Sequence, residues 1–344
     1  MAAKTVRLST TQRSWRPTPP NANPFCEAFS LEAARAHSRA SVDEHAALVA
    51  RAGEQGADLT VTGEGIEGLS YAITYLDDPS IFCTLVQELS EYCRETMSAL
   101  AKRHRMHVVA CFYEAQDDAI YNSAVLFGRD GAILGRYHKV NLPIYETWLV
   151  TNGDSFPVFD TDLGPVGLLI CYDEMWPEAA SCLALNGAKI ICHPSAAVIE
   201  EHTARTRSMD NQVFYVSSTP ARSIITAPNA QVLALAGDEP EAVLTADADV
   251  ATATLSPENF WEYVYSGLRD HRERHLKLRQ AAAYRVLSDP NPPALRAYPD
   301  GGLANTPERI REVYEKQKAD YQRSLRGEKS QYEWKWSDWS GGSK

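Results

Sequence analysis

Long apolar runs are missing from this chain of 344 residues. None approaches the ~20 residues that a membrane-spanning helix needs, which excludes a helical span. Met1 to Thr10 lack the apolar stretch of a secretory signal, so none is expected. Paired cysteines are absent as well. The seven present (Cys26, Cys83, Cys93, Cys111, Cys171, Cys182, Cys192) form no CxxC pair and no zinc-ligand spacing. The odd count and wide scatter argue against a disulfide framework or a metal site. Several lie in apolar runs, where a free thiol acts as a small hydrophobe, so a reducing, cytoplasmic setting is expected. Positive charge is scarce: 34 Lys+Arg stand against 45 Asp+Glu, a net charge of −11. Such a surface repels phosphate backbones, so no nucleic-acid partner is expected. The one basic stretch, Arg269 to Arg279, is interrupted by Asp270 and Glu273 and reads as a solvated helix face. No internal repeat is visible.

What is present is an ordinary globular composition, 44% apolar and 23% charged, long enough to bury a sizeable core. Val6 to Gln12 reads as an opening strand. Ser41-Val42-Asp43-Glu44 has the capping-box spacing and predicts a helix from there to Gly56. Leu59 to Thr62 is a short apolar strand. Asp78-Pro79 predicts an N-cap and first turn, followed by Ile81, Leu85, Leu89, Cys93 and Leu100 at helical spacing. Val108 to Phe112 is a strand. Ser123–Phe127 with Ile133–Tyr137, and Phe156–Phe159 with Val166–Ile170, read as hairpins. A helix from Pro177 to Gly187, a strand Ile190–Cys192, a helix Thr203–Gln212 and a strand Val213–Ser217 follow. Strands near Val232–Leu235 and Val250–Leu255 and a helix capped by Ser256-Pro257-Glu258 complete the alternation. Hairpins interleaved with helices predict α/β layers with mixed sheets. Pro290, Pro292 and Pro293 mark a break, placing residues 1–289 in one domain and 290–344 in a C-terminal extension. In that extension Thr306-Pro307 opens a helix whose Ile310, Val313, Tyr314, Tyr321 and Leu325 share a face. Tyr332, Trp334, Trp336 and Trp339 follow, too aromatic to be left in water. The extension is expected to pack on its own core or on a second subunit.

Three segments carry chemistry-bearing side chains: Val61-Thr62-Gly63-Glu64-Gly65, Tyr137-His138-Lys139-Val140-Asn141-Leu142, and Ile170-Cys171-Tyr172-Asp173 running on to Pro177-Glu178. Each places its residue just past a strand. Cys171 stands out because a helix is expected to start at once, and its N–H groups and dipole favour a thiolate and an oxyanion site. His138 alternates away from Lys139 on its strand and is expected to face the other side.

Together the three segments resemble the nitrilase, or carbon–nitrogen hydrolase, superfamily, which carries Glu, Lys and Cys in this order. Gly187-Ala188-Lys189-Ile190-Ile191-Cys192-His193-Pro194-Ser195 and Arg207-Ser208-Met209-Asp210-Asn211-Gln212 resemble family segments downstream of the Cys. The resemblance covers residues 5 to 288. It implies a four-layer α-β-β-α sandwich with two mixed six-stranded sheets, plus the C-terminal extension. It implies Cys171 as nucleophile, Glu64 as general base and acid, and Lys139 with the Tyr172 N–H as oxyanion stabilisers. Glu146, a few residues after the Lys, corresponds to a second carboxylate that positions it. Tyr172, Trp176, Tyr145, His193 and Ser195 are the expected substrate-binding residues, with Trp148 a further wall. No metal and no cofactor is implied.

The departures speak to substrate. Relatives acting on N-carbamoyl D-amino acids carry two arginines where this chain has Glu174 and Met175. A neutral or cationic substrate is therefore expected, unless Arg205, Arg207 or Arg222 replaces them. Cys171-Tyr172-Asp173 instead of the Cys-Trp-Glu of nitrilases favours amides and N-carbamoyl amines over nitriles. The expected activity is hydrolysis of such a C–N bond through a cysteine thioester with release of ammonia. Nitrile hydrolysis, amide-forming acyl transfer and a non-catalytic binding or scaffold role are the alternatives. A homodimer or larger homo-oligomer is expected, joined through helices near the Cys segment.

Overall fold

A computed structural model of the chain describes residues 5–16, 18–69, 72–255, 268–290, 292–294 and 306–328. The strands of its first half are β1 (Val6–Arg13), β2 (Leu59–Val61), β3 (His107–Gln116), β4 (Ala119–Phe127) and β5 (Ile133–His138). They are followed by β6 (Val158–Phe159), β7 (Val166–Leu168), β8 (Ile190–Pro194), β9 (Phe214–Ser218), β10 (Ile224–Thr226), β11 (Val232–Leu235) and β12 (Glu241–Ala248). The helices are α1 (Leu31–Glu54), α2 (Pro79–His104), α3 (Pro177–Leu185), α4 (Glu201–Asn211), α5 (His271–Leu278) and α6 (Pro307–Leu325).

Two six-stranded sheets result, ordered β12-β1-β2-β3-β4-β5 and β11-β10-β9-β8-β7-β6. Each is mixed: β1-β2-β3 and β7-β8-β9 run parallel, and the flanking pairs are antiparallel. The parallel joins need crossovers, which α1, α2, α3 and α4 supply. Alternation along β3 shows how the layers stack. Val109 and Cys111 point into the core between the sheets with Leu168, Ile190 and Cys192. Val108, Ala110 and Phe112 point outward onto α1 and α2. The second sheet packs its outer face on α3 and α4 through Leu183, Ile191 and Tyr215. The architecture is therefore the α-β-β-α sandwich.

Several boundaries differ from expectation for local reasons. Ser41 does not cap a helix. α1 already begins after Ser30, whose side chain accepts from Ala33 N–H, and the Ser41 hydroxyl donates to the Ile66 carbonyl at 2.7 Å from mid-helix. Val250–Leu255 is a turn, because the Asp249 carboxylate accepts from the N–H groups of Ala251 and Thr252 and ends β12. The basic stretch around α5 is not wholly solvated: Arg272 is buried and donates to the Ala184 carbonyl at 3.0 Å. The helix expected after Ser256 and the aromatic tail from Tyr332 to Trp339 lie outside the described residues.

Helix α6 docks on the body of the fold. Ile310 and Tyr314 join Phe25, Ile73 and Leu76 in one apolar cluster, with Val313 and Tyr321 packed against it. Leu325, expected on the same face, is exposed. The Tyr314 hydroxyl donates to Asp77, Arg311 pairs with Asp77 at 2.6 Å, and the Tyr321 hydroxyl donates to the Thr18 carbonyl at 2.8 Å. Among the described residues no helix is long and apolar enough to cross a membrane.

Candidate active site

Open α/β sheets bind ligands beyond the carboxyl ends of their parallel strands. Glu64 lies three residues past β2, Cys171 three past β7 and Ser195 just past β8, while Lys139 directly follows β5. Face-to-face packing of the sheets brings these ends to one rim. The Glu64 loop is tied to β3 by Thr62 N–H donating to the Val109 carbonyl (2.9 Å) and Ile66 N–H to the Cys111 carbonyl (3.0 Å). The Lys139 end is tied by its own N–H to the Asn122 carbonyl (2.9 Å) and by Gly153 N–H to the Lys139 carbonyl (2.8 Å). Gly153 has no room for a side chain, since a Cβ there would stand 2.1 Å from the His138 carbonyl oxygen.

The Lys139 ammonium is fully buried between two carboxylates, 2.8 Å from Glu64 Oε1 and 2.9 Å from Glu146 Oε2. Asn122 Nδ2 donates to both, at 2.8 Å and 3.0 Å, and the Tyr113 hydroxyl donates to Glu146 Oε1 at 2.8 Å. The second Glu64 oxygen accepts from Ala196 N–H at 2.9 Å. The Cys171 thiol stands beside the Glu64 carboxylate and the Ser195 hydroxyl. An ionised carboxylate, an ammonium and a thiol thus meet in one water-poor space.

Their electrostatics follow from that company. Burial pushes the Glu64 carboxyl up, but the charge and hydrogen bonds of Lys139 more than offset it and hold it below its ordinary value. Glu146 goes the other way: burial and the neighbouring Glu64 raise it against the pull of Lys139. Burial works against the Lys139 charge, yet the two carboxylates keep it well above its ordinary value. The Cys171 thiol is raised, first by burial and then by Glu64, with Lys139 opposing. At rest the site therefore holds a protonated thiol against an ionised carboxylate, not the thiolate expected from a helix N-terminus. The backbone explains part of this. Cys171 opens a 3₁₀ turn (Cys171–Met175) instead of a full helix, and α3 begins only at Pro177. An ionised carboxylate touching a thiol can take its proton as the sulfur attacks an electrophile.

The turn is held in an uncommon shape. Cys171 has φ +43°, a conformation costly for a residue with a Cβ and maintained only by surrounding contacts. The Asp173 carboxylate supplies them. It accepts from Ile170 N–H (3.0 Å), Asn141 N–H (2.9 Å), Asn141 Nδ2 (3.0 Å) and the Tyr137 hydroxyl (2.6 Å), stapling the Cys turn to the segment after Lys139. His193 supports the turn from beneath, with Nε2 3.0 Å from the Cys171 carbonyl and Nδ1 2.9 Å from the Ser217 hydroxyl. Burial lowers His193 to about 4, so its ring is neutral.

The structure thus brings Glu64, Lys139, Cys171, Glu146 and Ser195 together. Tyr145 stands within electrostatic reach of Cys171 and Lys139 and packs against the Phe25–Tyr314 cluster. Tyr172 and Trp176 stack edge to face at 4.8 Å and stay partly exposed, as does Trp148. His193 differs from expectation: both ring nitrogens are engaged, leaving none free to line a substrate pocket. His138 turns away from the cluster and stacks on Tyr121 with centroids 4.1 Å apart. Of the arginines expected as replacements, Arg207 reaches the Cys turn, donating to the Glu174 carbonyl at 2.7 Å. Arg205 instead donates to the Ala230 carbonyl and pairs with Glu201. Burial pushes the Glu174 carboxyl up to about 8, so it does not present a full negative charge at neutral pH. Asn122, Tyr113 and Asp173 join the site without having been expected there. Their only signal in the sequence is a polar side chain inside an apolar strand, or on the turn next to the Cys.

A family model described as Carbon-nitrogen hydrolase matches residues 35–257. The chain is 31% identical over 217 residues to a nitrilase of Pyrococcus abyssi (strain GE5 / Orsay), covering 59% of this chain and 81% of that one. It is 29% identical to the omega-amidase NIT2 of Mus musculus (59% and 80% covered). It is equally identical to an N-carbamoylputrescine amidase of Solanum tuberosum (59% and 79% covered). Among solved structures, a carbon-nitrogen hydrolase from Helicobacter pylori G27 superposes with a TM-score of 0.64 at 22% identity, covering 83% of this chain and 98% of that one.

Proposed function

The chain belongs to the carbon–nitrogen hydrolase family, and from that premise we propose that it hydrolyses an uncharged carboxamide or N-carbamoyl amine through a thioester on Cys171, releasing ammonia. Glu64 takes the thiol proton while the sulfur attacks the carbonyl carbon. The Lys139 ammonium and the Tyr172 N–H stabilise the oxyanion. The C–N bond breaks as Glu64 returns the proton to the departing nitrogen. Glu64 then deprotonates a water that attacks the thioester, and the thiol reforms with the acid product. Glu146, fixed by Tyr113 and Asn122, holds Lys139 in place through both steps.

The observation that carries this reading is Lys139 clasped by Glu64 and Glu146 while Glu64 stands beside the Cys171 thiol. The amidases among the relatives favour an amide or N-carbamoyl amine, and the shielded Glu174 offers no full charge for a cationic substrate group to pair with. The likeness to a nitrilase keeps nitriles in the test. Exposed Leu185 on α3 and Met209 on α4 support association into a dimer through these helices.

The test incubates the wild-type chain and Glu146→Ala with a panel of amides, N-carbamoyl amines and nitriles, reading ammonia release and intact mass. An acyl adduct on the Cys171 peptide, lost together with ammonia release in Cys171→Ala, is expected. Ammonia release undiminished in Cys171→Ala overturns the mechanism, and a nitrile outpacing every amide replaces the substrate class.

A further inference from the structure

A cavity adjoining this site is walled in part by a helix that the family match does not reach. It measures about 680 Å³, within the range of small-molecule sites, and lies between the segment around Phe25, the start of α1, Gly68, Leu69, Thr74 and Tyr75, and α6. Val313, Gln317 and Tyr321 face it from α6, opposite Phe25, Leu69 and Tyr75. A second, narrower space of about 50 Å³ reaches Gly63, Glu64, Ser195 and Ala196. Trp15, Arg16, Thr18, His37 and Gly68 line both, so the two spaces adjoin.

The join is structural as well as spatial. Trp15 Nε1 donates to the Ala196 carbonyl at 3.0 Å, and the N–H of the same Ala196 holds Glu64 Oε2 at 2.9 Å. One residue therefore links the cavity wall to the carboxylate beside the thiol. Helix α6 is itself set close to the site, since Tyr145 packs on the same apolar cluster as Tyr314.

The lining chemistry is selective. Its surface is mainly aromatic and aliphatic. Its basic side chains are already committed: Arg16 pairs with Glu44 at 2.7 Å and Glu241 at 2.9 Å, and Lys316 pairs with Glu312. The carboxylates that neutralise these cations, and Asp320 in the wall, oppose an anionic ligand, whereas an uncharged apolar group gains burial against the aromatic and aliphatic surface.

Resting on the hydrolase reading above, we propose that this cavity holds the non-reacting part of the substrate, a bulky uncharged aryl or branched-alkyl group, while the narrow space admits the planar amide head to Glu64, from which it meets Cys171. Helix α6 is then a specificity element.

Binding to full-length Cys171→Ala, read by calorimetry, separates this from turnover. 4-Phenylbutyramide is expected to bind at least tenfold more tightly than acetamide. Val313→Trp and Gln317→Trp, which fill the cavity, are each expected to weaken the phenyl amide tenfold or more. Val313→Ala, which widens the wall and leaves the helix intact, should shift preference toward a naphthyl amide even if a tryptophan variant fails to fold. No binding of the phenyl amide, or binding indifferent to all three substitutions, overturns the proposal. Binding that responds as expected, in a chain whose wild type neither hydrolyses the panel nor acylates Cys171, sinks the hydrolase reading and leaves the cavity as a binding site.

Discussion

On the proposed mechanism, a protonated thiol beside an ionised carboxylate makes Glu64 the base that activates Cys171. Glu64→Gln keeps the shape and removes the base, so kcat/KM for any good amide substrate should fall by about 10²–10⁴-fold. Alkylation of Cys171 by iodoacetamide should slow with it; an unchanged rate would mean that the sulfur is already ionised at rest. A second buried carboxyl, Glu67, bears on stability instead. Burial pushes it up to about 8 from 4.5, with Tyr113 N–H only partly offsetting, and its Oε2 has no hydrogen-bond partner. Between those two pH values the folded chain holds a proton that the unfolded chain has released. Stability from this group is therefore present below pH 4.5 and falls as pH rises toward 8. Glu67→Gln removes the titration. Its stability relative to wild type should improve by more than ~1 kcal/mol between pH 5 and pH 8, since a tenfold difference in proton affinity between folded and unfolded chain corresponds to about 1.4 kcal/mol. Parallel denaturation profiles across that range would contradict the assignment.

Elements set these residues through a few cross-links, and Asp173 is the chief one. Its four donors come from the Cys turn, from Asn141 and from β5. Asp173→Asn turns one acceptor oxygen into a donor facing donors. We expect a loss of about 2–3 kcal/mol in stability and a fall in kcat as the φ +43° turn relaxes. A variant melting within about a degree of wild type with unchanged kcat would remove the staple from the account. Elements also differ in how readable they are. α2 announces itself because its helical pattern has one buried face, and β3 because its apolar run is buried on both. β12, Glu241-Ala242-Val243-Leu244-Thr245-Ala246-Asp247-Ala248, has a weak pattern. It exists because all eight residues pair with β1, from the opposite end of the fold's sequence. Val250–Leu255 has the better strand composition, yet the Asp249 side chain turns it. The Ser41 capping box fails for the same kind of reason: a local signature is overruled when the preceding turn is already helical.

At the scale of the whole molecule, Glu64, Lys139 and Cys171 are legible because their three segments, in this order, resemble the carbon–nitrogen hydrolase motifs; singly, each is only a polar residue past a strand. Asn122, Tyr113 and Asp173 are not, because a polar residue in a strand or turn shows its partner only once the sheets are stacked. The same holds for α6. Its apolar face can be read from Ile310, Val313, Tyr314 and Tyr321, but not that it lies on Phe25 and Asp77, from the opposite end of the chain. Tyr314 is the centre of that closure. It is 2% exposed, meets Phe25 edge-on with ring centroids 5.4 Å apart, and donates to Asp77. Tyr314→Ala removes the ring and leaves a cavity against Ile310 and Phe25, which should cost about 3–5 kcal/mol. Because Tyr145 packs on the same cluster, the loss should reach the active-site rim and raise KM for a bulky amide more than it changes kcat. Urea denaturation monitored by tryptophan fluorescence checks the first part and steady-state kinetics the second. A cost under ~1 kcal/mol with an unaltered m-value would mean that α6 rests on the fold without helping to hold it.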